Sequence, residues 1–170
     1  LLYSRFITKA LKDLNYISFD EPFKKLIHQG TITKDGAKMS KSKGNTVSPD
    51  KFIEKYGSDT FRIYLMFMGP YEDGGDWSDK GITGISRFLS KVVKIVSALD
   101  KNYTPDNKTM HLVHKTIKFV TNDLNHFKFN TAIRKLMELS NHLYKYKKSN
   151  EFIVKHLLLM LAPFAPHLCE

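Results

Sequence analysis

From residue 78 onward the sequence divides into four long stretches of helical periodicity, near residues 78 to 101, 108 to 126, 130 to 147 and 150 to 168. They are held apart only by "NYTPDN", "KFN" and "KSN". Apolar residues recurring every three or four positions give each helix one face that has to be buried. Links this short make consecutive helices turn back on one another, so the expected product is an antiparallel helical bundle. No strand pattern is visible in this half of the chain.

The first part reads differently. "LLYSRFITKALKDL" sets Leu2, Phe6, Leu11 and Leu14 near one face with Lys9, Lys12 and Asp13 off it, which predicts an amphipathic helix. A second short helix is expected in "DEPFKKLIHQ", with Asp20 as cap, Pro22 in the first turn and Gly30 as the stop. "TITK" reads as a short strand, Asp35-Gly36 as a turn, and "AKMSKSKGN", residues 37 to 45, as an exposed loop that follows the strand edge. "SPDKFIEKYG" and "SDTFRIYLMFMG" predict two short back-to-back helices, capped by Ser48 and Ser58 and closed by Gly57 and Gly69. The turn-rich, acidic "GPYEDGGD" is the best boundary. The expected fold class is mainly α: a small α/β portion over residues 1–75, then the bundle over residues 76–170.

With 170 residues and 42% apolar content the chain can build a core, which argues against disorder. Lysine and arginine number 27 against 17 acidic residues, a net charge of +10 that favours a polyanionic partner such as RNA. A solvated lysine-rich surface accounts for the charge equally well. The single Cys169 leaves no internal disulfide framework and suits a reducing compartment. No leader with a basic start and a small-residue cleavage pattern is visible, and "LLLMLAPFAPHL", interrupted by Pro163 and Pro166, is too short to span a bilayer. A cytoplasmic protein with no membrane partner is expected. The chain opens inside a helix without an initiator Met and stops at Glu170 in another apolar-periodic stretch, as a piece of a longer protein does.

The chemistry concentrates in Lys38-Met39-Ser40-Lys41-Ser42. Each ammonium is a compact charge on a flexible stem that can follow phosphate oxygens, and serine hydroxyls and loop amides add donors. When a carboxylate attacks the α-phosphorus of ATP, negative charge builds on the bridging oxygen and the β,γ-phosphates. Cations aimed there stabilise the transition state more than the ground state. Gly44 and an absence of regular structure suit a loop that closes on ATP. The plainer alternative is a solvated lysine-serine loop or a basic address patch.

"KMSKSKGN" followed by "VSPDKFIEKYGSDTFRIYLMFMGP" resembles the signature loop and following helices of class I aminoacyl-tRNA synthetases. Within that class, "LLYSRFITKALKD", "EPFKKLIHQG", "DWSDKGITGISRFL" and "LAPFAPHLCE" look like stretches of leucyl-tRNA synthetases, so the resemblance spans essentially the whole chain, most weakly near residues 100 to 150. It implies that residues 1–75 are the end of a Rossmann-type catalytic domain with stem-contact helices, and that residues 76–170 are an anticodon-binding-type helical bundle. Lys38, Met39, Ser40, Lys41 and Ser42 become the ATP-binding signature, with Lys41 most directly on the phosphates, Lys38 supporting it, and Met39 near the adenine through its backbone. The implied substrates and partners are leucine, ATP with Mg2+, and tRNA(Leu), in a monomeric enzyme with no permanent cofactor. In leucine enzymes the bundle is understood to hold the tRNA body without reading the anticodon.

The departures also carry information. The family's other catalytic signature, a His-x-Gly-His-type tetrapeptide, does not occur in these 170 residues, nor does an editing domain. An inserted leucine-specific module has no room either, because only "TITKDGA" separates Gly30 from Lys38. The segment alone is not expected to catalyse aminoacylation. A valyl- or isoleucyl-type synthetase shares the lysine loop, and a non-catalytic basic RNA-binding module would share the charge.

Other features have ordinary readings. Asp59 and Arg62 are spaced for a local ion pair, and Trp77 before a Ser78 cap for a hydrophobic staple. Glu72, Asp73, Asp76 and Asp79 lack calcium-loop spacing and read as a solvated turn. His111 and His114 have no third metal ligand in register, and Cys169 sits in an apolar helix as packing. Arg87, Lys91 and Lys94 share one helix face, while Arg134, Lys135, Lys145, Lys147 and Lys148 enrich another with Tyr144 and Tyr146 interspersed. That pattern suits either a phosphate backbone or water.

Overall fold

A computed structural model describes residues 1–170, and its core explains most of the architecture. The chain runs α1 (Leu2–Asp13), β1 (Thr31–Lys34), β2 (Ala37–Lys38), a 3-10 turn (Lys41–Lys43), α2 (Asp50–Tyr56), α3 (Ser58–Phe67), β3 (Gly74–Trp77), α4 (Gly81–Ser97), α5 (Asn107–Asn125), α6 (Phe129–Tyr146), α7 (Glu151–Leu161) and α8 (Pro166–Cys169). The fold is mainly α with one small sheet, as expected.

The four long periodic stretches do become helices. α4 buries Ile82, Ile85, Phe88, Leu89, Val92 and Ile95, and α6 buries Ala132, Ile133, Leu136, Leu139 and Leu143, each set on a single stripe. Every such Leu or Ile taken out of water contributes about 1.5–3 kcal/mol before entropy is charged against it. The short links carry their own stops and starts. Asp106 accepts the Thr109 amide at 2.6 Å to cap α5, Asn150 accepts that of Ile153 at 3.0 Å to cap α7, and Lys147 ends α6 in the left-handed region at φ 51°. The buried Ser149 ties two links together, donating its hydroxyl to the Ile95 carbonyl at 2.7 Å. The fourth stretch breaks around Pro163 into α7 and α8, because proline cannot continue the helical hydrogen bonding.

The sheet has strand order β2-β1-β3. β1 and β2 form an antiparallel hairpin whose two-residue turn, Asp35 (φ 54°) and Gly36 (φ 70°), has the doubly left-handed backbone that matches strand twist. β3 pairs with β1 in parallel, Thr33 opposite Asp76 and Lys34 opposite Trp77, with α2 and α3 as the crossover. Strand β3 is a correction, because "GGDW" was expected to be part of a boundary turn. Its glycines and aspartate disfavour strand on their own, and the partner β1 imposes the conformation. Gly30 and Gly69 have a packing role here: a Cβ on either would collide with the Gly74 backbone. The core also continues past residue 75, since Ile63 and Tyr64 of α3 and Trp77 of β3 belong to the same cluster as the bundle's buried side chains.

The second expected helix, "DEPFKKLIHQ", is absent; residues 19–30 are extended or bent. A helix of this length needs a packed face, and Phe23 and Leu26 are exposed. Its acidic residues are drawn to α1 instead: Lys12 meets Asp20 at 3.1 Å, and Arg5 and Lys9 meet Glu21 at 2.7 and 3.3 Å. Hydrogen bonding to Arg5 holds the Glu21 carboxyl down at about 2. On α1 itself only Thr8 is buried, and the Leu2, Phe6, Leu11 and Leu14 face is exposed. None of the expected serine caps forms. Ser48 hydrogen-bonds the Asp50 carboxylate at 2.9 Å, α3 begins at Ser58 directly off Gly57 (φ 83°), and α4 begins after Lys80.

Candidate nucleotide-binding loop

The lysine loop is more ordered than its composition suggests. It starts on the returning strand of the hairpin, where Lys38 is the last residue of β2, and continues into the 3-10 turn Lys41–Lys43. Ser40 caps that turn through its hydroxyl, which accepts the Lys43 amide at 3.3 Å and lies 3.1 Å from the Ser42 hydroxyl. Gly44 closes the turn at φ 66°, a conformation that glycine adopts at little cost. Asn45 then clasps both sides of the loop: its Oδ1 accepts the Ser40 amide at 2.9 Å, and its Nδ2 donates to the Lys38 carbonyl at 3.3 Å. The loop is thus a defined turn, where irregular backbone was expected.

This fold separates the side chains by role. Met39 is half-buried and packs against the core, which anchors the loop, whereas Lys38, Lys41, Ser42 and Lys43 are exposed. None of the three lysines has a carboxylate within ion-pair distance, so their charge is available to an anion. Three uncompensated ammonium groups within six residues create a local positive potential suited to a polyphosphate.

Both stems of the loop meet the same dipeptide. On the upstream side, Asp76 Oδ1 accepts from the Thr33 hydroxyl at 2.6 Å and from the Gly36 amide at 3.0 Å. The Thr33 hydrogen bond, then the Gly36 amide, holds the Asp76 carboxyl below the usual carboxylate range. On the downstream side Phe52, in the first helix after the loop, meets Trp77 edge-on with ring centroids 4.8 Å apart. Trp77 is buried among Phe52, Phe61 and Tyr64 and donates its indole N–H to Asp79 at 2.6 Å. The Tyr64 hydroxyl donates to the Ser78 carbonyl and accepts the Ser78 amide. The acidic run is therefore more than a solvated turn, since Asp76 and Asp79 each hold a neighbour in place. Its sequence signal was only the placement of two carboxylates beside the chain's single tryptophan.

Several other expectations move. Asp59 and Arg62 do not pair. Asp59 accepts the Leu168 amide at 2.7 Å, and Arg62 donates to the Pro163 and Phe164 carbonyls, so both bind the end of the chain to α3. His114 lies against the Phe152 ring at 5.4 Å. Cys169 is half-buried, and burial pushes its thiol up to about 11. It is neutral at neutral pH and should react with iodoacetamide at pH 8 far more slowly in the folded chain than after denaturation, as read by mass spectrometry.

The bundle's cations separate into two groups. Arg87 and Lys91 of α4 border a cavity of about 400 Å³ that reaches Asn141 of α6, and Lys91 donates to Asn141 at 2.6 Å. Lys94, Tyr144, Lys147 and Lys148 border a smaller one of about 150 Å³, with Lys94 5.9 Å from the Tyr144 ring centre. Arg134 and Lys135 instead pair with Glu138, and Lys135 lies over Phe119 of α5. Both cavities lie between α4 and α6, and Arg134 and Lys135 border neither.

Residues 5–78 match the family model for class I tRNA synthetases (I, L, M and V), and residues 106–170 match that for the anticodon-binding domain of tRNA ligases. Over its whole length the chain is 48% identical to a leucine–tRNA ligase of Caldanaerobacter subterraneus subsp. tengcongensis and 50% identical to one of Thermotoga petrophila. Over its whole length the chain is thus similar to the leucyl members of the class I tRNA synthetases. It spans 23% of the length of those two relatives. Among solved structures it is similar to a LeuRS of Agrobacterium radiobacter, described as a ternary complex with tRNA and LeuAMS. That similarity has a TM-score of 0.83 at 35% identity, covering all of this chain and 25% of that one. These relatives favour the leucyl reading over the valyl or isoleucyl alternative. No helix is long and apolar enough to cross a membrane.

Proposed function

We propose that this chain is a segment of a leucine–tRNA ligase, in which Lys38–Ser42 bind the phosphates of ATP and the helical bundle holds tRNA(Leu). Three unpaired lysines on an ordered turn carry the reading, supported by whole-length similarity to leucine ligases. In the reaction the leucine carboxylate attacks the α-phosphorus of ATP, supplied with Mg2+. The bond to the bridging oxygen breaks and pyrophosphate leaves. A ribose hydroxyl at the tRNA end then takes the leucyl group, and AMP departs. Lys41, with Lys38 supporting it, neutralises charge as it builds on the departing diphosphate. We take residues 1–75 as the catalytic portion and residues 76–170 as the tRNA-holding portion, a division of task across a shared core. The test is leucine-dependent exchange between ATP and pyrophosphate by the full-length enzyme, with valine and isoleucine as controls.

For the tRNA, the α4–α6 side of the bundle is the favoured contact, because Arg87 and Lys91 border one cavity there, and Lys94, Lys147 and the Asp100-paired Lys148 border a second beside the exposed Tyr144. Phosphate neutralisation releases counterions, so the contact has a salt signature. Replacing Arg87, Lys91 and Lys94 by alanine should weaken tRNA(Leu) binding and reduce the slope of log K against log salt by about 2 to 3, if each contributes its usual share. An unchanged slope would move the RNA to another face.

A further inference from the structure

The lysines can act on a transferring phosphoryl group only if the hairpin that carries them is held in place, and the hairpin is not self-sufficient. β1 and β2 share only two residue pairs, Thr33 with Lys38 and Lys34 with Ala37. A ribbon that small has no independent stability. The four-pair parallel ladder with β3 holds its first strand, and Asp76 of β3 adds a side-chain tie that reaches the tip: its Oδ1 accepts from both Thr33 Oγ1 on that strand and Gly36 N at the tip. The Gly36 amide lies only two residues before Lys38, so a tilt at the tip passes directly into the lysines. The next residue, Trp77, is buried in the aromatic cluster and also receives Phe52 from the helix after the loop.

We propose that Asp76 is a positioning residue for leucine activation, tethering the turn that presents Lys38 and Lys41 to a strand rooted in the bundle core. This inference rests on the phosphate-binding reading of the lysine loop. Asp76 does not touch ATP; it acts by fixing where the lysines stand, and misplacement of about 1 Å at a reacting centre can cost up to about 10²-fold. The two hydrogen bonds need an acceptor oxygen of aspartate length, which asparagine also offers.

The experiment measures ATP–pyrophosphate exchange in the full-length enzyme for the wild type, Asp76→Ala, Asp76→Asn, Lys41→Ala and the Asp76→Ala/Lys41→Ala double variant, with unfolding temperature followed in parallel. Asp76→Ala is expected to lower kcat/KM for ATP about 10- to 100-fold while leaving KM for leucine near wild type, and Asp76→Asn to recover most of the loss. The double variant should be little worse than Lys41→Ala, because Asp76 works through the lysines. A loss with Lys41→Ala but none with Asp76→Ala would overturn this inference and leave the loop's role standing, whereas no loss with Lys41→Ala would overturn the loop's role itself. Equal losses for ATP and leucine that track a lowered unfolding temperature, or a fully additive double variant, would reduce Asp76 to a fold-holding residue and likewise overturn the proposal.

Discussion

Replacing Lys41 by alanine in the full-length enzyme is expected to reduce leucine-dependent ATP–pyrophosphate exchange by about 10²- to 10³-fold, the usual effect of losing one preorganised charge stabiliser. The size follows from the setting. Lys41 stands at the start of a capped turn, exposed and with no carboxylate partner, so its removal disrupts no packing and frees no buried charge. The missing interaction is therefore one that strengthens as the diphosphate leaves, and the loss should appear mainly in kcat. Lys41→Arg tests the same point. A guanidinium keeps the charge but presents a planar fork in place of a compact ammonium, so activity should be recovered only in part. Wild-type exchange from Lys41→Ala would remove the loop from the chemistry.

How much of this was legible in the sequence depends on where each element's stabilisation comes from. The four bundle helices were visible because their apolar stripes carry both period and partner; α4 and α6 bury the side chains that the spacing selects. The strand β1 and its turn were visible because Asp35-Gly36 is a local turn signal, but Ala37–Lys38, expected as loop, pairs back on β1 as a second strand. Elements governed by distant partners were not visible. "GGDW" becomes a strand only because β1 lies beside it, and "DEPFKKLIHQ" stays extended because no surface covers Phe23 and Leu26. The lysine loop shows both cases. Its lysines and serines could be read off the string, but its order comes from Ser40 and Asn45, whose hydrogen bonds require knowing that residues 38, 40 and 45 meet. Asp76 was hidden for the same reason: it is 40 residues from the amide it holds.

Trp77→Ala should be the most damaging single substitution for the fold around the site. The ring is 5% exposed and is contacted by Phe52 and Tyr64 edge-on at 4.8 and 5.1 Å and by Phe61 at 5.9 Å. Truncating a buried tryptophan costs about 3–5 kcal/mol from lost transfer and the cavity left behind, and aromatic pairs add about 0.5–1.5 kcal/mol each beyond area. For a chain of this size that corresponds to a fall in unfolding temperature on the order of 10 °C. Trp77→Phe keeps an aromatic ring for the cluster but loses the indole N–H that Asp79 accepts, so it should cost only about 1 to 2 kcal/mol, a partial cavity plus one hydrogen bond. The contrast matters more than either value. Trp77 joins α2, which leaves the lysine loop, to α3 and the bundle, so its removal should loosen both stems of the loop at once, whereas a merely peripheral ring would unfold nothing. Denaturant unfolding followed by circular dichroism measures both variants, and a cost below about 1 kcal/mol for Trp77→Ala would show that the loop and the bundle are not held together at this residue.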